Sequence, residues 1–541
     1  MRILEHGMQP FGSSFGIFVL MMVMICGANI VGLYVCISHW ISPMSLVVQI
    51  CRAILLSWGV VWIWQLIRAA NKNAGRIFVA IILIILCVNV MLDVWTYTVF
   101  HLPFSPDYVP AILDTHLNEA RDFLVTYLTV DFWIWLAVAY VSIIAIFLMA
   151  KRLTSVLVMF SSKRPKMMTY VAIVIFSLCS WCTASSSHLM GGNTDVVGKT
   201  AMFASYKPAQ KIIASNPEIV KTFGAEADSP DEIVIIVGES LSKDNCQLYG
   251  YKRNNQPKLS EMVEDKTILV FNNAKTSASY TVKTFQNIMG VWSESLPADS
   301  AWYKCPTFFQ ILSNAGYHTA WISNQERRTG GSSPIATMSE VADISFWTND
   351  GIAIQPSYDE KVIEYIKLRN QHGGRKKLTL VHLYGSHMIC KDRFPKSSKK
   401  YFAEDYGDRP SWQRETLADY DNSVLYNDSV VAEILKLYKK RDALVFYFSD
   451  HGEDLYQSNP KFYGHGMAKG TRSWDITSNI PFIIYMTSEM KRRHADLAQR
   501  IENSINNDIN TTNLTYTLMD IIGVTIKGHQ DDIKYSFFYQ K

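Results

Sequence analysis

The second half of this chain has little cysteine. Of nine cysteines in 541 residues, only Cys246, Cys305 and Cys390 lie beyond residue 186, an odd number without metal-type spacing. That excludes a cysteine-built metal site; no disulfide framework is indicated, although one bridge could form in an oxidising compartment. Charge is also scarce, at 18% Asp, Glu, Lys and Arg, and the net +4 is spread along the chain without forming a block. A nucleic-acid partner therefore has no electrostatic footprint. Internal repeats are absent.

Apolar residues are abundant, at 49%, and unevenly placed. Crossing a hydrocarbon core takes roughly 20 residues as helix. Five runs meet that requirement: Phe15 to Ser38, Ser45 to Ile67, Ile77 to Phe100, Phe132 to Ala150 and Met168 to Ala184. The first is not read as a cleaved signal peptide, since it lacks a small-residue cleavage site and four more runs follow. Short connections rich in Lys and Arg stay on the cytoplasmic side. Arg68, Lys72 and Arg76 mark the second connection, and Lys151, Arg152, Lys163, Arg164 and Lys166 the fourth, with no acid in either. Asp107, Asp114, Glu119 and Asp122 put the third connection, Leu102 to Asp131, outside, with everything after the fifth run.

The expected organisation is a five-helix membrane domain over 1–186, a bridge over 187–230 and an extracytoplasmic domain over 231–541. Within the outer loop, Ala111 to Val125 reads as a helix too polar to span: a connector or a wall for a lipid headgroup. The bridge carries an expected surface helix, Ala209 to Phe223, resting on the membrane face.

From residue 231, short β-branched runs alternate with helical patterns, the signature of an α/β domain with a largely parallel sheet. Expected strands are Glu232 to Val237, Leu269 to Asn272, Thr319 to Ile322, Leu378 to Leu383, Leu444 to Phe448 and Phe482 to Tyr485. In such sheets ligands bind beyond the carboxyl ends of strands. There the sequence has Glu239 after the first strand and Asp450-His451 after the fifth. Two carboxylates and an imidazole suit a divalent cation, zinc foremost; an isolated Asp-His pair would instead be a cap or a surface turn.

Lys275-Thr276-Ser277-Ala278-Ser279 follows a strand and precedes a helix expected over Tyr280 to Met289. A hydroxyl at a helix N-terminus can serve as an activated nucleophile facing a phosphate, or simply as an N-cap. His387 and His465 also follow strand ends, as substrate-side histidines or ordinary loop residues. Asn324 and Gln325 offer amides after the Thr319 to Ile322 strand.

Together, Val237-Gly238-Glu239-Ser240, the segment Gly250 to Leu259, Tyr384-Gly385-Ser386-His387, Tyr420-Asp421-Asn422-Ser423-Val424, Ser449-Asp450-His451-Gly452-Glu453 and His465-Gly466 resemble the phosphoethanolamine transferases of Gram-negative bacteria. The resemblance spans the whole chain and implies an alkaline phosphatase and sulfatase-like fold. It assigns Glu239, Thr276, Asp450 and His451 to a catalytic zinc, with a second zinc conceivable, and makes Thr276 the nucleophile. It implies phosphatidylethanolamine as donor, diacylglycerol as product, and a lipopolysaccharide or other envelope glycan as acceptor, at the inner membrane with the catalytic domain in the periplasm. It gives His387, His465, Asn324 and Gln325 to the substrate.

The Thr276 segment lacks the flanking cysteines common in lipid A-directed members. It is more similar to the branch that decorates lipopolysaccharide core sugars, and also to lipoteichoic acid synthases. Ser277, Ser279 and Thr281 stand close to Thr276, so the choice of hydroxyl stays open. A phosphoglycerol transferase using phosphatidylglycerol is the alternative enzyme, and a sensor or scaffold with an inactive domain the alternative outside catalysis. A sulfatase activity is disfavoured, because no Cys/Ser-x-Pro-x-Arg pattern occurs in this segment.

Overall fold

The computed structural model describes residues 14–36, 43–99, 130–163, 165–185, 219–221, 229–291, 305–327, 334–350, 357–372, 374–460, 462–466, 469–527 and 529–539, with single positions within 104–128 and at 303. Contacts divide the chain into two compact units, Met1–Tyr206 and Lys207–Lys541.

Helices occupy all five apolar stretches: α1 (Phe15–Cys36), α2 (Pro43–Ala70), α3 (Lys72–Val99), α4 (Val130–Lys163) and α5 (Pro165–Ser185). Among the described residues, Val47–Ala70, Lys72–Val99 and Val130–Thr154 are long and apolar enough to cross a membrane, whereas Phe15–Ile25 and Tyr170–Thr183 are apolar over shorter stretches. α1 packs against α2, α3 and α4, and α5 against α2. Large apolar side chains point outward, with Ile84 64%, Val141 66% and Trp181 70% exposed, which suits a hydrocarbon surrounding. Polar groups turn inward instead: Asn89 Nδ2 donates to Met24 O at 3.1 Å, joining α3 to α1. α4 runs past the expected end at Ala150 and carries Lys151 and Arg152 within the helix. The α2–α3 connection is a single residue, Asn71, whose side chain accepts from the amides of Asn73 and Ala74 at 2.9 and 3.1 Å and so caps α3.

The second unit is built on a seven-stranded sheet of order β3-β11-β8-β2-β7-β5-β6. Among the described residues the strands of the unit are β1 (Ile219–Lys221), β2 (Glu232–Gly238), β3 (Ile268–Phe271), β4 (Asn273–Lys275), β5 (His318–Arg327), β6 (Ile344–Asp350), β7 (Lys377–His382), β8 (Ala443–Ser449), β9 (Asp454–Leu455), β10 (Tyr463–Gly464), β11 (Phe482–Met486), β12 (Asp508–Asn510) and β13 (Val524–Ile526). Only β11 runs against its sheet neighbours β3 and β8; β6, β5, β7, β2 and β8 are all parallel. All six expected strands are present.

Two expectations need correction. β5 continues to Arg327 through an irregularity between Ser323 and Glu326, so Asn324 and Gln325 lie inside a strand and not after one. Of the surface helix expected over 209–223, only 219–221 is described, and it is the strand β1, antiparallel to β13. Successive β-branched residues at Ile219-Val220 favour that pairing over a helical turn. The outer-loop helix expected over 111–125 falls outside the described residues, apart from Leu124.

Both sheet faces are covered, as parallel strands require. Along β2, Ile233, Ile235 and Val237 enter one core while Val234 and Ile236 enter the other, the two-residue alternation of a pleated strand. α7 (Ser411–Tyr438), the longest helix of this unit, covers the second face through Tyr420, Val424, Val431, Ile434 and Leu435. Phe482 is the hub of the first face: its ring centroid lies 5.6 Å from Phe271, 6.3 Å from Phe446, 5.4 Å from Phe448 and 5.6 Å from Phe537. Phe482→Ala should therefore cost about 3–5 kcal/mol, seen as a lowered denaturant midpoint of the outer domain. A loss below about 1 kcal/mol would contradict this packing.

Candidate active site

Register alone brings the first ligands together. β2 lies between β7 and β8, with Val237 opposite both His382 and Phe448 and Gly238 opposite Ser449. The residues that follow, Glu239 and Asp450-His451, therefore leave the sheet side by side at its carboxyl edge.

Glu239, Asp450 and His451 are buried, and one ligand atom from each lies within 4.8 Å of the others. His451 Nε2 is 3.1 Å from Glu239 Oε1 and 3.3 Å from Asp450 Oδ2. The other ring nitrogen, Nδ1, donates to Gly452 O at 3.0 Å, which orients the ring and aims Nε2 at the carboxylates. Asp450 Oδ1 accepts from the amides of Ser240 and His451 at 3.2 and 2.7 Å. Asp450 Oδ2 has no hydrogen-bond partner. Ser240 holds a left-handed backbone, φ 56°, an uncommon state for a side chain other than glycine and a usual mark of a constrained functional loop.

The electrostatics follow from two carboxylates confined without water. Burial, and then Glu239 beside it, push Asp450 well above the usual carboxylate range. Burial acts upward on Glu239 too, but the hydrogen bond and charge of His451 outweigh it and hold Glu239 low. Burial alone would lower His451, yet Asp450 and Glu239 drive it up to about 10. A proton on His451 thus does what a divalent cation would do better. The unpartnered Asp450 oxygen and the Glu-Asp-His donor set fit zinc, which takes oxygen and imidazole ligands alike.

The hydroxyl at this cluster is not the expected one. Thr276 lies where the chain is still tied to a neighbouring strap: its amide donates to Ser478 O at 2.9 Å, and its Oγ1 is 3.4 Å from Thr284 Oγ1. The chain reaches the carboxylates five residues later. Thr281 Oγ1 donates to Glu239 Oε2 at 3.0 Å and Oε1 at 3.2 Å and lies 3.5 Å from His451 Nε2. Thr281 opens the helix α6 (Thr281–Ile288), after the extended residue Tyr280, so it sits among that helix's unpaired N-terminal amides. The helix begins at Thr281, one residue later than the sequence suggests, and its first residue supplies the cluster's hydroxyl. Thr284, one turn on, donates to Asp450 O at 3.2 Å and anchors the helix to the ligand loop.

The remaining candidates divide. His465 Nδ1 pairs with Glu453 Oε2 at 2.9 Å, its ring centroid is 4.2 Å from that of His451, and His451, Glu453 and His465 form a second group able to hold a cation. His387 follows β7, 6.4 Å from His465 ring to ring, and burial lowers its pKa to about 3. Gln325 Nε2 donates to Leu383 O at 3.2 Å and approaches Glu239 Oε2 at 3.5 Å, so it borders the site.

Asn324 is turned into the interior. It is fully buried, donating to Ser357 O at 3.1 Å and Asp359 Oδ1 at 2.8 Å, and its oxygen accepts from Thr348 and Ser357. Its amide is used up in bracing Asp359, which accepts from the amides of Tyr384 and Gly385 at 2.7 and 2.8 Å and so fixes the loop bearing His387. Gly385 is required in that loop: at φ 54° an added Cβ would lie 2.6 Å from Glu239 O.

Sequence reasoning also missed His382. It is buried at the end of β7, its Nε2 4.0 Å from Glu239 Oε2, its ring 4.6 Å from Phe285, and burial lowers its pKa to about 4. Within an apolar strand it reads as a core residue; its place five positions before His387 was the one available signal. Cys246 and Cys390 are buried free thiols.

The sulfatase family model matches residues 231–524, more than half of the chain and the whole of the sheet that carries these residues. The chain belongs to the sulfatase family. Among curated proteins it is 26% identical over 491 residues to phosphoethanolamine transferase EptC of Escherichia coli (strain K12), covering 84% of this chain and 81% of that one. Among solved structures, it is similar to the C-terminal periplasmic domain of E. coli EptC in complex with zinc, with TM-score 0.53 and 26% identity over 61% of this chain and 92% of that domain. The integral membrane phosphoethanolamine transferase EptA of Neisseria meningitidis shares the fold across 98% of this chain and 97% of its own, with TM-score 0.60 at 14% identity. In this sulfatase-family chain a cation would offset the charge of the buried carboxylate pair, so chelation should lower the melting temperature of the second unit and zinc should restore it. At a thousandfold excess over the dissociation constant the restored stability is about 4 kcal/mol. Asp450→Asn should lose most of this increment; a melting temperature indifferent to zinc would rule the site out.

Proposed function

We propose that this chain is a zinc-dependent phosphoethanolamine transferase, anchored by five spans in an inner membrane with its second unit in the periplasm. It takes the headgroup of phosphatidylethanolamine and passes it to an envelope glycolipid, a lipopolysaccharide core or lipid A. The observation that carries this reading is the Thr281 hydroxyl, held by Glu239 and His451 at a helix N-terminus inside a buried carboxylate–imidazole cluster. The similarity to EptC over most of the chain, and to a zinc complex of its periplasmic domain, supports the choice of headgroup and metal.

Glu239, Asp450, His451 and Thr281 would hold the zinc. When bound it would make the hydroxyl more acidic and offset charge on the phosphoryl oxygens. Thr281 Oγ1 attacks the phosphorus of the lipid, a new O–P bond forms, and the P–O bond to diacylglycerol breaks. The proton lost by Thr281 and the proton gained by the leaving glycerol oxygen balance. His465 suits that delivery: Glu453 accepts from its Nδ1, leaving Nε2 to give or take a proton. In the second half-reaction an acceptor hydroxyl or phosphate oxygen attacks the same phosphorus and frees Thr281. His387, kept neutral by burial, can hydrogen-bond the incoming acceptor.

Mass spectrometry of the protein incubated with phosphatidylethanolamine and zinc tests this. A phosphoethanolamine adduct is expected on Thr281. Thr281→Ala should abolish it and cut transfer at least about 10³-fold, while Thr276→Ala keeps it. An adduct on Thr276 would reverse the assignment; an adduct formed only from phosphatidylglycerol would replace the donor.

A further inference from the structure

The segments that carry Glu239 and His451 go on to enclose a cavity of about 440 Å³. Its size lies within the range of small-ligand sites, about 300–1,000 Å³. One wall holds Asn245, on the chain running on from Glu239, and another holds Gln457, on the chain running on from His451; Gln457 Nε2 donates to Asn245 Oδ1 at 3.0 Å and ties the two together. The third wall is the entry to α7, with Tyr406 and Arg409.

Its chemistry is selective. Tyr251 and Tyr406 both line it, and both hydroxyls are held by the buried Asp421, which Tyr251 reaches at 3.0 Å. Asn255 Nδ2 gives that carboxylate a third hydrogen bond at 2.9 Å. The rings are therefore locked in place by groups beneath them. Arg253 stacks over Tyr406, 4.3 Å from the ring centroid, and its Nε has no hydrogen-bond partner. With Lys252 and Arg409 it sets three cations against the carboxylates of Asp244 and Asp405. Leu417 and Leu455 are the aliphatic side chains of the lining, and no His or Cys lies among the lining residues to take a metal.

Fixed aromatic rings, amides and carboxylates for hydroxyl groups, and a surplus of cations together suit a sugar that carries an anionic group. We infer that this cavity seats the acceptor of the transfer reaction, as an anionic saccharide of one or two rings bearing a phosphate or carboxylate. The inference rests on the transferase reading for its word acceptor, but the binding site itself does not.

The experiment uses the full-length protein in detergent, with a bis-phosphorylated glucosamine disaccharide as the probe. Lys252 and Arg409 are exposed, so Lys252→Glu/Arg409→Glu should fold normally. Binding of the probe is read by ligand-observed NMR, which needs no turnover. Transfer to the probe and adduct formation from phosphatidylethanolamine are measured separately. The double variant should weaken probe binding and raise its KM at least about tenfold, with the donor half-reaction, which does not use this cavity, within about twofold of the parent protein. The unphosphorylated disaccharide should bind weakly to both proteins. Unchanged probe binding and KM in the double variant, or no probe binding by the parent protein, would overturn the inference. If the probe binds and the double variant loses it while the parent forms no lipid adduct, the saccharide site stands and the transferase reading falls.

Discussion

Two carboxylates, Glu239 and Asp450, are buried against one imidazole, and the local structure around them is arranged to keep them there. Neither could remain ionised at that depth alone, because an isolated buried charge is far costlier than the stability of a whole domain can absorb. His451 supplies partial compensation, and a divalent cation would complete it. The constraint accounts for features otherwise unrelated in the chain: the left-handed Ser240, which aims its amide at Asp450, and the glycine at 385, where a Cβ would collide with Glu239. It also accounts for α6, which starts where Thr281 meets Glu239 and is pinned by Thr284 to the backbone of Asp450.

The parallel sheet is what makes such a cluster affordable. β2 and β8 are adjacent and in register, so residues some two hundred positions apart emerge next to each other with no further folding cost. β7 adds His382 at its end and His387 in the loop beyond, held by Asp359 and, behind it, Asn324. A rigid scaffold positions the ligands, and loops on its edge carry the chemistry. The first unit has a different logic, with apolar side chains facing outward and Asn89 satisfied between helices.

Strand identities and the carboxylate–imidazole cluster were legible because they depend on period-two apolar runs followed by hard ligands, which survive in a single sequence. Glu239, Asp450 and His451 were found for that reason. Thr276 and Asn324 were misplaced by the same reasoning applied where it does not hold. Between β4 and α6 the chain is irregular, and nothing local tells which of several hydroxyls arrives at the carboxylates; the tie from Thr276 to Ser478, distant in sequence, decides it. Asn324 looked available because its strand seemed to end at Ile322, whereas pairing with β6 extends it to Arg327 and turns the amide into the interior. His382 was hidden by its apolar neighbours. Each miss concerns a tertiary contact that leaves no periodic mark.

Zinc-edge anomalous diffraction from crystals of the zinc-loaded full-length protein addresses the central claim most directly. The account predicts a peak about 2.0–2.2 Å from oxygens of Glu239 and Asp450, from His451 Nε2 and from Thr281 Oγ1. A peak bounded by Thr276, or one held by His387 and His465 without Glu239, would contradict it.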